Sequence, residues 1–153
     1  MIELEYEMTY AETIEGPIGS TGRSPLGERL CWQVSTATLS GPRIHATLAA
    51  PGLDWIRLGD DGIRRQDLRA QLQTSDGDLI LLRYDLALIR QSDRFMTALS
   101  AGEATTFEDQ YMRIAPQFEI APGRLAWLAE SLFLGRGRLT GRNAIEYEIY
   151  RVH

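Results

Sequence analysis

Ile63-Arg64-Arg65-Gln66-Asp67-Leu68-Arg69-Ala70-Gln71-Leu72-Gln73-Thr74-Ser75-Asp76-Gly77-Asp78-Leu79-Ile80-Leu81-Leu82-Arg83-Tyr84 is the stretch on which the fold turns. Successive strand residues point to opposite faces, so Arg65, Asp67, Arg69, Gln71 and Gln73 share one side. Gln66, Leu68, Ala70 and Leu72 share the other. Asp76-Gly77 is a hairpin signal, because glycine supplies the positive φ of a tight turn. Residues 63–74 and 78–89 therefore read as one long hairpin. With Asp76 and Gly77 as the central turn residues, Arg69 would face Tyr84, Gln71 would face Leu82, and Gln73 would face Ile80. Both faces of this hairpin are then mixed in polarity, which is unusual for an open sheet with one wet side. The question it poses is whether the polar side faces water or a polar cavity inside a barrel.

The flanking segments extend the β pattern. Residues 2–10 alternate Ile2, Leu4, Tyr6, Met8 and Tyr10 against Glu3, Glu5, Glu7 and Thr9, a half-buried strand signal. Gly16, Pro17, Gly19, Gly22 and Pro25 read as a long loop. Residues 28–39 and 43–49 read as strands, and Ala50-Pro51-Gly52 as a turn before a short apolar segment, Asp54–Leu58. Asp61-Gly62 is a second hairpin signal. Residues 93–101 are the one good helix candidate, with Ser92 or Asp93 as cap and Gly102 near its end. Residues 111–120, 131–139 and 143–152 complete the set of strands. Many short strands at this spacing predict an all-β fold, a single antiparallel β-barrel of about 8–10 strands with one short helix. No linker or repeat divides residues 1–153, so one domain is expected.

Composition narrows the chemistry. The net charge is −5, and all 16 basic residues are arginine. Without lysine there is no Schiff-base chemistry and no lysine general base. No basic patch interleaved with aromatics suggests nucleic acid as a partner. Cys31 is the single cysteine, and His45 and His153 are the only histidines. No metal-ligand spacing is visible, so neither metal nor cofactor is expected. No signal-peptide pattern or membrane-length apolar run is apparent, so a cytoplasmic location without membrane contact is the default expectation.

Several groups of residues together resemble the DUF3237 family. They are Thr38-Leu39-Ser40-Gly41-Pro42-Arg43, Pro51-Gly52-Leu53-Asp54-Trp55, Arg69 with Thr74-Ser75-Asp76-Gly77, and Tyr111-Met112-Arg113-Ile114-Ala115-Pro116-Gln117-Phe118-Glu119. Ala126-Trp127-Leu128 and the glycines Gly135 and Gly137 follow in order. The resemblance implies a small antiparallel β-barrel with a pocket, not a settled reaction. Leu86 and Ala129 stand where glycine and asparagine are expected, so no substrate is carried over with it.

Within that frame Asp54, Glu119 and Arg69 are the candidate catalytic residues. An aspartate beside Trp55 is placed to have a raised pKa and to act as a general acid or base; it could equally cap a turn. Glu119 is a second proton-transfer candidate, or the partner of an internal arginine. Arg69 would bind a carboxylate or carbonyl oxygen, or pair with Asp54 or Asp67. Trp55, Gln71, Tyr84, Tyr111, Arg113, Trp127 and His45 are the candidate substrate-binding residues. The leading expectation is a cofactor-independent enzyme that moves protons on a small organic molecule, as an isomerase, hydratase, lyase or cyclase does. The alternatives are a non-catalytic barrel binding a small hydrophobic ligand, and a homodimeric interaction module using Leu68, Leu72, Leu79 and Leu81. An enzyme of this kind should carry a carboxylate with a raised pKa inside its pocket.

Overall fold

A computed structural model describes residues 1–153. Eleven strands form one antiparallel sheet: β1 (Leu4–Ser20), β2 (Glu28–Gly41), β3 (Ile44–Leu58), β4 (Ile63–Arg65), β5 (Leu68–Thr74), β6 (Leu79–Tyr84), β7 (Ala87–Arg90), β8 (Met112–Ile114), β9 (Gln117–Glu119), β10 (Phe133–Gly141) and β11 (Ala144–Val152). β4 with β5, β6 with β7, and β8 with β9 are each one strand of the wall broken in the middle. The wall therefore closes as an eight-stranded barrel, β2 pairing with both β1 and β3. A barrel of this size fills its interior with side chains or holds one small ligand.

The hairpin that carries the fold is present, but its register differs by one. Thr74 N–H donates to Asp78 O, and Gly77, at φ 91°, lies within a three-residue loop Ser75-Asp76-Gly77. Arg69 consequently pairs with Arg83 and Gln71 with Leu81, while Leu68, Ala70 and Leu72 pair with Tyr84, Leu82 and Ile80. A one-residue slip moves a whole strand's side chains to the other face. Here it sorts the mixed faces into an apolar inner wall and a polar outer one. Leu68 and Leu72 are fully buried, whereas Leu79 and Leu81 are exposed, so these four leucines do not share an outer face.

Two loops expected from glycine and proline are strand instead. β1 continues past Gly16 and Pro17 to Ser20 along β2, with register shifts that absorb the irregular residues. β3 runs unbroken through Ala50-Pro51-Gly52, bulging against β5 on both sides of Ala50. A bulge accommodates proline and re-aims the residues beyond it. In β1 the bulge at Glu7 leaves Met8, Tyr10, Glu12 and Ile14 on the inner face and Ile2, Leu4 and Tyr6 exposed.

The two ends of the barrel differ. One is covered by the helical turn Ala126–Leu128, with Leu128 buried and Phe118 edge-on to Phe133 at 5.3 Å between ring centroids. Across the other lies α1 (Asp93–Ala101), which buries Phe95 and Ala98. Its ends are written into the sequence: the Ser92 side chain accepts from Phe95 N–H, and Gly102 closes the helix at φ 72°. Ser92→Ala is expected to lower the unfolding free energy by about 1 kcal/mol. Urea unfolding checks this; an unchanged midpoint would show that the cap does not hold α1.

Gly135 and Gly137 in β10 have a packing role. A Cβ on Gly137 would lie 2.5 Å from the Tyr147 ring, and one on Gly135 would lie 2.7 Å from Ile114 Cγ1. Glycine is what lets the Tyr147 ring lie against the inner wall.

Candidate functional site

Inside the barrel, six polar side chains form two hydrogen-bonded runs, Tyr10–Glu12–Tyr84 and Tyr147–Gln66–Asp54, which meet where the Tyr84 and Tyr147 rings approach. Tyr10 Oη donates to Glu12 Oε2 at 2.8 Å, and Tyr84 Oη donates to Glu12 Oε1 at 3.4 Å. The Tyr84 and Tyr147 rings lie 5.7 Å apart. Tyr147 Oη donates to Gln66 Oε1 at 2.6 Å, and Gln66 Nε2 donates to Asp54 Oδ2 at 2.8 Å. All six residues are buried. Buried polar groups are kept because they bond one another, and runs such as these fix the rotamer of every member.

The wall geometry explains how Asp54 comes to be there. β3 places it opposite Trp32 on β2 and Leu68 on β5, on the inner face. The wall breaks at Gln66-Asp67, between β4 and β5, where the ladder lapses. Asp67 N–H donates instead to Asp54 Oδ1 at 3.3 Å. The carboxylate thus takes the place of a missing ladder acceptor, and the same break turns Gln66 onto its other oxygen.

Neither Glu12 nor Asp54 forms an ion pair. Burial is the main reason that the Asp54 carboxyl is pushed up to about 6, against the pull of Gln66 and the Asp67 N–H. Glu12 is pushed up to about 8, by burial first and by the Asp54 charge second. Near neutral pH the pair therefore holds one proton, on Glu12, and one charge, on Asp54. Two carboxyl groups with separated proton affinities are the raw material of acid–base chemistry.

Beside these runs, towards α1, lies a cavity of about 230 Å³. Ile14, Ile56, Phe95 and Leu99 are among its apolar walls; Gln66, Arg64 and Trp32 are among its polar lining. Gln66 is the residue common to the cavity and the hydrogen-bonded runs. No cluster of three histidine, cysteine, aspartate or glutamate side chains stands at ligating distance anywhere in the molecule.

The residues singled out in the sequence fall into separate places. Asp54 and Tyr84 belong to the buried runs. Trp55, Arg69, Gln71 and Glu119 lie together outside the barrel, along an open groove of about 380 Å³ that Arg83 and Leu81 also line. The Arg69 side chain is 70% exposed and stands 3.9 Å from Asp67 Oδ1; the corrected register, with Arg83 as its partner, is what turns it outward. Glu119 follows the break at Ala115-Pro116 and pairs with Leu81 on the outer face. The Tyr111 ring is half exposed beneath the guanidinium groups of Arg90 and Arg113. Trp127 packs under Arg43, 3.8 Å from ring centroid to Cζ, at the end covered by the helical turn. His45 is exposed on β3.

Glu12, Gln66, Tyr147, Arg64 and Trp32 were not among the sequence candidates. The signal for three of them was parity. Glu12 alternates with Tyr10 and Ile14, and Arg64 and Gln66 alternate with Leu68 and Ala70. A polar residue in phase with a core face is an informative exception.

A family model described as "Protein of unknown function (DUF3237)" matches residues 2–152. Among curated proteins, none matches the sequence. Solved structures share the fold. A conserved protein of unknown function from Rhodopseudomonas palustris superposes with a TM-score of 0.88 at 20% identity, over 100% of this chain and 99% of the other. A β-barrel-like protein from Acinetobacter baumannii gives 0.82 at 24% identity, over 100% and 97%. A structure described as an enzyme from Penicillium herquei gives 0.70 at 20% identity, over 99% and 95%. No helix of the chain is long and apolar enough to cross a membrane.

Proposed function

The chain belongs to the DUF3237 family, and from that premise we propose that it is a cofactor-independent enzyme that moves a proton on a small organic molecule held in the barrel cavity. One observation carries this reading: two buried carboxyl groups without cationic partners lie in the barrel beside a largely apolar cavity, and one of them, Asp54, is bonded to Gln66 in the cavity wall. A carboxylate kept in an apolar barrel at a cost in desolvation is placed there for its proton. That a distant relative of the same fold is described as an enzyme is consistent with this.

In this reading Asp54, ionised near neutrality, is the proton acceptor. Glu12, still protonated, is the store from which a proton returns, and the proton taken up by Asp54 then passes to Glu12, which has the higher proton affinity, to restore the starting state. Gln66 is a positioning residue, bonded to Asp54 and Tyr147 and touching the ligand. Isomerisation, addition–elimination and cyclisation all remove a proton from one atom and restore one to another, and a pair with separated affinities serves both steps.

Proton transfer can be read without knowing the natural substrate. Incubation with 1-indanone and 2-tetralone in D2O should give protein-dependent deuterium at the carbon α to the carbonyl. Asp54→Asn should slow that exchange roughly a hundredfold or more. Ketones that occupy the cavity, seen by shifts of the Ile14 and Ile56 methyl signals, yet exchange at the same rate with wild type and Asp54→Asn would sink the catalytic reading. That outcome would favour the second reading, a non-catalytic ligand-binding barrel, for which the apolar cavity walls speak.

A further inference from the structure

Arg64 occupies an unusual place. It stands opposite Ile89, a buried core residue, on the strand pair β4–β7, and two residues before Gln66. Strand parity therefore turns its side chain inward, in line with Gln66, Leu68 and Ala70. The guanidinium is half-buried at the cavity wall. Its single side-chain hydrogen bond runs from Nε to Gln91 Oε1 at 3.3 Å, and it forms no ion pair. Ten of the other arginines each lie within 4 Å of a carboxylate: Arg65, next in the chain, holds Asp61 at 2.6 Å from the outer side. Burial pulls the Arg64 guanidinium below its ordinary pKa, and no neighbouring anion counters it; the group nonetheless stays charged, because arginine does not deprotonate in proteins.

A second donor lines the same cavity. Trp32 stands opposite Asp54 and faces inward from β2. Its indole Nε1–H is buried and has no acceptor. Leaving a buried donor unpaired is unfavourable, and native interiors rarely do so without a reason. An arginine without a counter-ion and an unpaired indole N–H thus border one small space whose remaining walls are apolar except for Gln66 and Asn143.

We infer that the cavity selects a one- or two-ring organic molecule bearing an oxyanion, whose negative oxygens are held by the free terminal nitrogens of Arg64, with Trp32 Nε1 as a further donor. The inference rests on the cavity being the ligand site, as proposed above. The size agrees: an apolar cavity of about 150 Å³ takes benzene, and this one is about 230 Å³. The charge agrees too. Asp54 lies just behind Gln66, to which it is bonded, so its charge repels an anionic group from the Gln66 side and directs it to the Arg64 end. A carboxylate, phenolate or enolate meets the guanidinium's planar fork; a neutral amide of the same shape leaves the positive charge without a counter-ion.

Three probes separate the possibilities: 2-naphthoate, 2-naphthamide and naphthalene, titrated at pH 7 into wild type, Arg64→Gln and Arg64→Lys. Binding is followed by methyl shifts of Ile14, Ile56 and Ile89 and by calorimetry. In wild type, 2-naphthoate should bind roughly tenfold to a hundredfold more tightly than 2-naphthamide. Arg64→Gln should abolish that preference while naphthalene binding stays within about twofold, and Arg64→Lys should restore part of it. Trp32→Phe should weaken 2-naphthoate by a smaller factor. Equal affinity of wild type for acid and amide, or a preference that survives Arg64→Gln, would overturn the role of Arg64 and leave the cavity reading intact. Failure of all three probes to move the cavity methyls would overturn both. Circular dichroism and urea unfolding of each variant exclude loss of fold as the cause.

Discussion

Leu72→Ala is expected to lower the unfolding free energy by about 3 kcal/mol, and Leu81→Ala by less than about 1 kcal/mol. The two leucines lie on the same hairpin, Leu72 between two glutamines and Leu81 within the apolar run Leu79–Leu82. Only the register decides which is core. Leu72 pairs with Ile80 on the inner face and is fully buried; Leu81 pairs with Gln71 and is 38% exposed. Removing the Leu72 side chain forfeits its transfer free energy and leaves a void that the barrel cannot close from both sides. Removing Leu81 uncovers part of the outer groove. Urea unfolding at one pH measures both. Comparable losses at the two positions would mean that Leu72 and Leu81 share one face, as they do only in the register in which Arg69 faces Tyr84.

That hairpin shows which information is local. Its existence follows from alternation and from Asp76-Gly77, because turn chemistry acts over a few residues. The α1 ends follow from Ser92 and Gly102, and the last turn from Gly141 and Asn143, the latter at φ 56°. The inside–outside assignment is not local in this sense. It depends on whether the loop has two or three residues, and Ser75-Asp76-Gly77 reads acceptably as either. Asp54 could be picked out because a carboxylate beside an aromatic is chemically conspicuous. Glu12 carried only the weaker signal of parity with Tyr10, because Gly16-Pro17 beyond it reads as loop and a glutamate in a strand is read as exposed. What puts it inside is the pairing of β1 with β2 and, across more than a hundred positions, with β11. Gln66 and Arg64 were visible as members of the apolar face of their strand. Their meaning required the break between β4 and β5, which no residue type announces.

Glu12→Gln is expected to make the protein more stable than wild type in alkaline solution, by an amount that grows with pH. The Glu12 carboxyl goes from an ordinary 4.5 to about 8 on folding. Between those values the folded state holds a proton that the unfolded state has released, so ν_U − ν_N is negative and wild-type stability falls as pH rises. The contribution of neutral Glu12 is whole below pH 4.5 and is lost progressively up to about pH 8, at about 1.4 kcal/mol for each unit. Asp54 adds a loss of the same sign in a lower window, from 3.8 to about 6. Glutamine is isosteric with the protonated acid, keeps an oxygen for Tyr10 or Tyr84, and does not titrate. The difference in unfolding free energy between Glu12→Gln and wild type should therefore be small and flat near pH 4, then climb steadily to a few kcal/mol at pH 8. Taking the difference cancels the other carboxylates, which titrate alike in both proteins. Asp54→Asn supplies the internal check. The Asp54 charge is the second cause of the Glu12 shift, so in an Asp54→Asn background the climb should end at a lower pH. Parallel stability curves for wild type and Glu12→Gln from pH 4 to 8 would mean that Glu12 titrates as an ordinary carboxylate, and the proton store beside the cavity would not exist.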